Sequence, residues 1–238
     1  MSLIQTVDQL EYPESDGKPM GETDLHRDWM YRILDILRQH YRGQQVYVAS
    51  NLLVYYKEGD PSRFVVPDDF VVQDCDPGRR RTFKIWEEGK APQVVFEVTS
   101  RSSRREDAVY KPEIYARLGV QEYFLYDPTA DYLDPPLQGF RLEAGGYTRM
   151  EMDATGLLLC QRLDLALRLQ DGQLMMYDGA SGRLLCTEAE AAEAARKIAE
   201  AAREAAEAEC AAAESRAAAL EAEIQRLRNE LARERAHE

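Results

Sequence analysis

Apolar residues at Leu25, Trp29, Met30, Ile33, Ile36 and Leu37 recur at three- and four-residue intervals, which predicts a helix over Asp24–His40 with a wide stripe turned toward a core. The pattern then changes. QVYVASNLLVYY, FVVPDDFVVQD and PQVVFEVTS are rich in β-branched and aromatic residues and read as strands, separated by the turn-rich KEGDPS and by CDPGRRRTFKIWEEGKA. A helix is expected from Lys111 to Leu118, stopped by Gly119, and QEYFLYDP supplies a further strand ending at Asp127-Pro128. Strand, helix and strand at this spacing imply a parallel crossover. From Leu137 to Leu185 short strands alternate with turns at Gly145-Gly146 and Asp171-Gly172, and these are expected to complete the sheet with antiparallel hairpins. The fold class is mixed α/β (α+β).

At Thr187 the pattern changes again, to a segment with no Gly or Pro that is dominated by Ala, Glu and Arg. Thr187 with Glu190 fits a capping box, and the segment reads as one helix on the order of 70 Å long. Leu220, Ile224, Leu227 and Leu231 are spaced four, three and four, the seam of a coiled coil. Upstream the seam is mostly alanine and its phase drifts, so pairing there is weaker or staggered. A solvated single helix held by Glu/Arg pairs is the alternative. The chain thus divides into an N-terminal segment (residues 1–20), a globular domain (21–186) and a long helix (187–238).

Composition narrows the function. A chain of 238 residues, 45% hydrophobic and 31% charged, has room for an enzyme core. It shows no membrane-spanning apolar run and no secretory leader, so a cytoplasmic protein is expected. Cys75, Cys160, Cys186 and Cys210 form no CxxC and suggest neither a zinc site nor a disulfide framework. The net charge of −13 argues against non-specific coating of nucleic acid. Basic residues nevertheless cluster at Arg79, Arg80 and Arg81 and at Arg101, Arg104 and Arg105, where an anion would approach unless these are solvated loop faces.

Glu97 interrupts the apolar run VVFEV, and a carboxylate inside a buried strand is costly unless paired. It either faces solvent or is held for chemistry. Asp68 follows Pro67, as turn residues do, and Lys111 stands near a helix start, as surface lysines do. Together the three suggest more: two carboxylates on adjacent strands can hold Mg²⁺, and an ammonium can stabilise charge on phosphoryl oxygens. Asp69 should face away from Asp68 if the strand is regular. His26 could touch the site or serve as a core histidine.

The pair Pro67-Asp68, the stretch VVFEVTSRSSRRED, Lys111 and the ending RLGVQEYFLYDP resemble the Uma-two-type restriction endonuclease family of the PD-(D/E)XK nuclease superfamily. The likeness runs over roughly residues 20 to 130. It implies a restriction-endonuclease-like mixed sheet flanked by helices and Mg²⁺-dependent hydrolysis of DNA phosphodiester bonds, with Mn²⁺ as a substitute. It makes Asp68 and Glu97 metal ligands, with Glu22 (or Asp24) as an added contact, and takes the lysine from Lys111, because Thr99 stands at the superfamily's usual lysine position. DNA is the implied partner. A homodimer, formed through the nuclease domain, residues 187–238 or both, would present two active sites to a duplex. The alternative is a nuclease-like scaffold or nucleic-acid-binding module that does not cut and works through its coiled coil.

Overall fold

The computed structural model describes residues 11–17, 23–100 and 109–235. It divides into two compact units, one ending at Glu188 and one beginning at Ala189. Glu22, Arg101, Arg104 and Arg105 lie outside the described residues.

The first unit opens with α1 (Asp24–His40), which has the bounds its apolar stripe predicts. Thr23 caps it, its hydroxyl accepting from the His26 amide at 3.2 Å. The centre is a six-stranded mixed sheet, in spatial order β1 (Val46–Ser50), β4 (Asp69–Gln73), β6 (Val94–Val98), β7 (Glu122–Tyr126), β8 (Leu137–Glu143) and β9 (Gly146–Arg149). Only β6 and β7 run parallel, joined by α3 (Lys111–Leu118) in the expected crossover. Gly119, at φ 76°, ends α3 in the left-handed conformation that glycine adopts without steric cost. α1 buries Met30, Ile33, Ile36 and Leu37 on the face bearing Val71, Phe96 and Phe124. The opposite face packs Phe70, Val95 and Tyr123 against Tyr115 of α3.

Two runs predicted as single strands are each divided. The first breaks at Asn51, whose φ of 49° turns the chain between β1 and β2 (Val54–Tyr55). The second breaks at Pro67, which cannot donate to a ladder, leaving β3 (Phe64–Val65) ahead of β4. β3, β2 and β5 (Phe83–Lys84) form a small sheet of their own, and the single turn α2 (Ile85–Glu88) follows β5.

The expectation that the chain to Leu185 completes the central sheet holds only for β8 and β9. β10 (Leu158–Cys160), β11 (Leu165–Gln170) and β12 (Gln173–Asp178) form a separate antiparallel sheet, whose Leu158, Leu165, Leu167 and Met176 join the core beneath α1. The turn-separated apolar runs show that these residues form strands, not which sheet they join.

The second unit continues α4 (Glu188–Arg235), 48 residues long. Pairs such as Arg196–Glu200 at 2.9 Å and Arg226–Glu223 at 3.0 Å run along it. No helix among the described residues is long and apolar enough to cross a membrane.

Candidate active site

Asp68 owes its position to the interruption at Pro67. The end of β1 grips this point: the Asn51 amide donates to the Pro67 and Asp68 carbonyls at 3.1 and 3.0 Å, and the Ser50 hydroxyl donates to the Asp68 carbonyl at 2.6 Å. Asp68 therefore sits one residue ahead of β4, free of the strand's pleat, and reaches the end of β6. Its Oδ2 accepts from the Val98 amide at 2.8 Å and lies 3.1 Å from His26 Nε2, carried on the first turn of α1. Its Oδ1 takes no hydrogen bond among the described residues.

Glu97 is 1% exposed, so its burial is complete. Its Oε2 accepts from Lys111 Nζ at 2.7 Å and from the Asp68 amide at 3.2 Å, while Oε1 accepts from the Tyr115 hydroxyl. Lys111 and Tyr115 are four apart on α3, so one helix face delivers an ammonium and a phenol to the same carboxylate. Lys111 occupies the first turn directly before Pro112, and is itself buried.

The electrostatics separate neighbouring acids. Burial disfavours the charged form of Asp68, but the Lys111 ammonium, His26 and the Val98 amide outweigh it and hold the carboxyl below its ordinary pKa. Asp69 is fully buried, and neither of its oxygens has a hydrogen-bond partner among the described residues. Burial first, and then the charge of Asp68, push its carboxyl well above the ordinary value. It pairs in register with Phe96 and Ser50, on the face beneath α1. Burial and the nearby Glu97 charge likewise push the Tyr115 phenol well up, which keeps it a donor.

Asp68, Glu97 and Lys111, chosen from the sequence, thus come together, and His26 joins them. Asp24 does not: its side chain is exposed and pairs with Arg27. Of the arginines, Arg80 is spent internally. It forks onto Glu88 with bonds of 2.5 and 2.8 Å and lies 4.1 Å over the Tyr47 ring. Arg81 pairs with Glu14, and Arg79 is exposed. Tyr115 went unrecognised in the sequence, although its four-residue spacing from Lys111 marks it. Among the described residues no group of three or more His, Cys, Asp or Glu side chains forms a metal cage.

The family model described as "Uma2: Putative restriction endonuclease" matches residues 4–175. The chain belongs to this family. For a Uma2 protein a nucleic-acid phosphodiester is the class of substrate to consider, and the buried Asp68–Glu97–Lys111 group lies inside the matched span. No curated protein matches. Among solved structures the chain is similar to a protein described as "a putative nuclease belonging to DUF820 from Anabaena variabilis ATCC 29413". The two are 18% identical, with a TM-score of 0.44, over 61% of this chain and 76% of the other.

Proposed function

We propose that this protein is a Mg²⁺-dependent endonuclease hydrolysing DNA phosphodiester bonds, with Asp68 and Glu97 as the cation's protein ligands, Lys111 assisting, and Mn²⁺ able to substitute. The observation that carries the reading is the meeting of those three side chains in one buried spot where β4 begins and β6 ends. The donor set fits a hard cation. Both ligands are carboxylates, and the carboxylate carrying Oδ1 of Asp68 is held ionised by its neighbours. Two carboxylates with no wider cage suit Mg²⁺, which keeps several waters and shares its shell with substrate. When bound, such an ion polarises the phosphodiester and lowers the pKa of a coordinated water.

The chain's own residues have separable tasks. Val98 and His26 fix the Asp68 rotamer, and Tyr115 fixes Glu97 from the side away from Lys111. Lys111 keeps a positive charge beside both carboxylates, where it can also face the oxygens of a phosphoryl group. The long helix fits the same reading as a dimerisation element. Leu220, Ile224 and Leu227 are 65%, 50% and 52% exposed along the heptad seam, and pairing two copies would cover them.

The test is nicking of supercoiled DNA by purified protein in Mg²⁺, Mn²⁺ or EDTA, with Glu97→Gln in parallel. Metal-dependent nicking that Glu97→Gln loses is the expected result. Nicking that persists in a purified Asp68→Asn/Glu97→Gln double variant overturns the assignment. Light scattering on the full chain, against a Leu220→Glu/Leu227→Glu variant, checks the dimer: a wild-type monomer removes it.

A further inference from the structure

Carried upstream in heptad steps, the positions of Leu220, Ile224 and Leu227 on α4 fall on Ala217, Ala213, Cys210 and Ala206. The stripe stops at Arg203, a charge that pairs with Glu207 of its own helix at 3.4 Å. From Ala206 to Leu227 these residues are exposed, so one narrow apolar face of the helix is left uncovered among the described residues.

The charges beside that face identify its cover. Elsewhere on α4 charged side chains pair three or four residues away on the same helix: Arg196 with Glu193 and Glu200, Arg203 with Glu207, Arg226 with Glu223 and Glu230. Arg216, Glu221 and Arg228 have no ion pair among the described residues. They flank the stripe, Arg216 directly before Ala217, Glu221 directly after Leu220 and Arg228 directly after Leu227.

When two such helices lie parallel and in register, the residue before each Ala217 or Ile224 position meets the residue five further on in the second copy. Arg216 then faces Glu221 and Glu223 faces Arg228, twice over by symmetry. Antiparallel pairing fails the same test. Seating Ile224 against Leu220 of the second copy sets Glu223 on Glu223 and Glu221 on Glu221; seating it against Leu227 sets Glu223 on Glu230. Parallel register also sets Glu209 near Glu214, so its grip is firmest from Arg216 to Arg228.

We propose that two copies of the chain pair through α4 in parallel and in register, with Leu220, Ile224 and Leu227 each meeting its counterpart and the Arg216–Glu221 and Glu223–Arg228 pairs fixing the direction. This rests on the reading of α4 as a dimerisation element and adds its orientation; it does not rest on DNA cleavage. Each α4 follows its own first unit in the chain, so a parallel coil tethers both units to the same end.

Cys210 reports the geometry. It is exposed, lies on the stripe, and meets Cys210 of the second copy in the parallel register and in neither antiparallel one. The small side chains of Ala206, Ala213 and Ala217 let the backbones approach, and a disulfide needs Cα atoms about 4.4–6.8 Å apart. The test is oxidation of the full chain with diamide, which takes up the two thiol hydrogens as the S–S bond forms, followed by denaturing, non-reducing electrophoresis. Wild type is expected to run as a cross-linked dimer, and Cys210→Ser and Leu220→Glu/Leu227→Glu as monomers. In light scattering, Arg216→Glu is expected to weaken the dimer about 10-fold, by setting like charges on both sides of the coil, and Arg216→Glu/Glu221→Arg to return it to within about threefold of wild type.

A wild-type dimer that does not cross-link through Cys210, an Arg216→Glu dimer as tight as wild type, or a double variant no tighter than Arg216→Glu overturns the parallel register and leaves the dimer standing. A wild-type monomer overturns both. DNA nicking is scored separately and stands or falls without either.

Discussion

Four hydrogen-bonded carboxylates among the described residues are buried along the central sheet, and the chain handles them in two ways. Glu122 and Asp127, flanking β7, are saturated. Glu122 accepts from the Arg141 guanidinium at 2.9 and 3.1 Å, from the Gln161 and Arg162 amides at 3.2 and 2.9 Å, and from the Cys160 thiol, stitching β7 and β8 to the chain after β10. Asp68 and Glu97 lean instead on a lysine and a histidine, and the same histidine lines an open cleft. A carboxylate wrapped in amides and a guanidinium has no capacity left for a ligand. One held by a partner that can be shared with substrate does. The difference predicts that the first pair serves stability and the second serves chemistry, at some cost in stability.

The comparison breaks most decisively at Glu97. Glu97→Gln should lower metal-dependent cleavage on the order of 10³-fold, a loss of several kcal/mol of transition-state stabilisation, while circular dichroism shows an intact fold. Glu122→Gln should do the opposite: stability to urea falls by about 3 kcal/mol or more, as when one partner of a buried pair is removed, and cleavage per folded molecule stays at the wild-type level. If Glu122→Gln silences a folded protein, the division is wrong. Lys111→Met should slow cleavage about 10²-fold, and Lys111→Arg should not restore it, because a planar fork does not reproduce a compact ammonium. Tyr115→Phe removes one bond to a charged carboxylate and should slow cleavage by about 10-fold; an unchanged rate would make the phenol a packing group.

Asp69 gives the smallest effect and a sign that can be worked out. Its folded pKa lies well above the unfolded value of about 3.9, so between the two the folded state holds a proton that the unfolded chain has released. Its contribution is fully present below the unfolded pKa and is lost as pH rises toward the folded one. Asp69→Asn should therefore melt close to wild type near pH 4 and about 2–4 °C above it near pH 8, in parallel calorimetric scans. A constant difference across that range would show that Asp69 carries its charge.

Much of the framework was legible from periodicity. α1, β6, α3 with its glycine stop, and β7 each follow from an apolar pattern ended by a residue with one physical meaning, and the parallel crossover follows from their order. Sheet membership was not legible. Asn51 turns the chain through a left-handed conformation, and the hairpins after Leu157 bury one face as strands of either sheet would. At the site, Asp68, Glu97 and Lys111 stood out because each breaks a local expectation. Tyr115 broke none, since a tyrosine on a core helix is ordinary, and it went unread although its spacing from Lys111 was there to mark it. Arg80 looked like an anion contact because a sequence of three arginines does not show that Glu88 returns to meet the middle one.

The loop behind Asp127 has a consequence for how this protein could change. Of the five bonds that hold it, four come from backbone amides, those of Thr129, Ala130, Tyr132 and Leu133, and the last three residues take part through the main chain alone. The Tyr132 side chain can therefore be exchanged without removing any of these bonds. Tyr132 lines a cleft, so a lineage could alter the chemistry of that wall while its shape stays anchored to one aspartate.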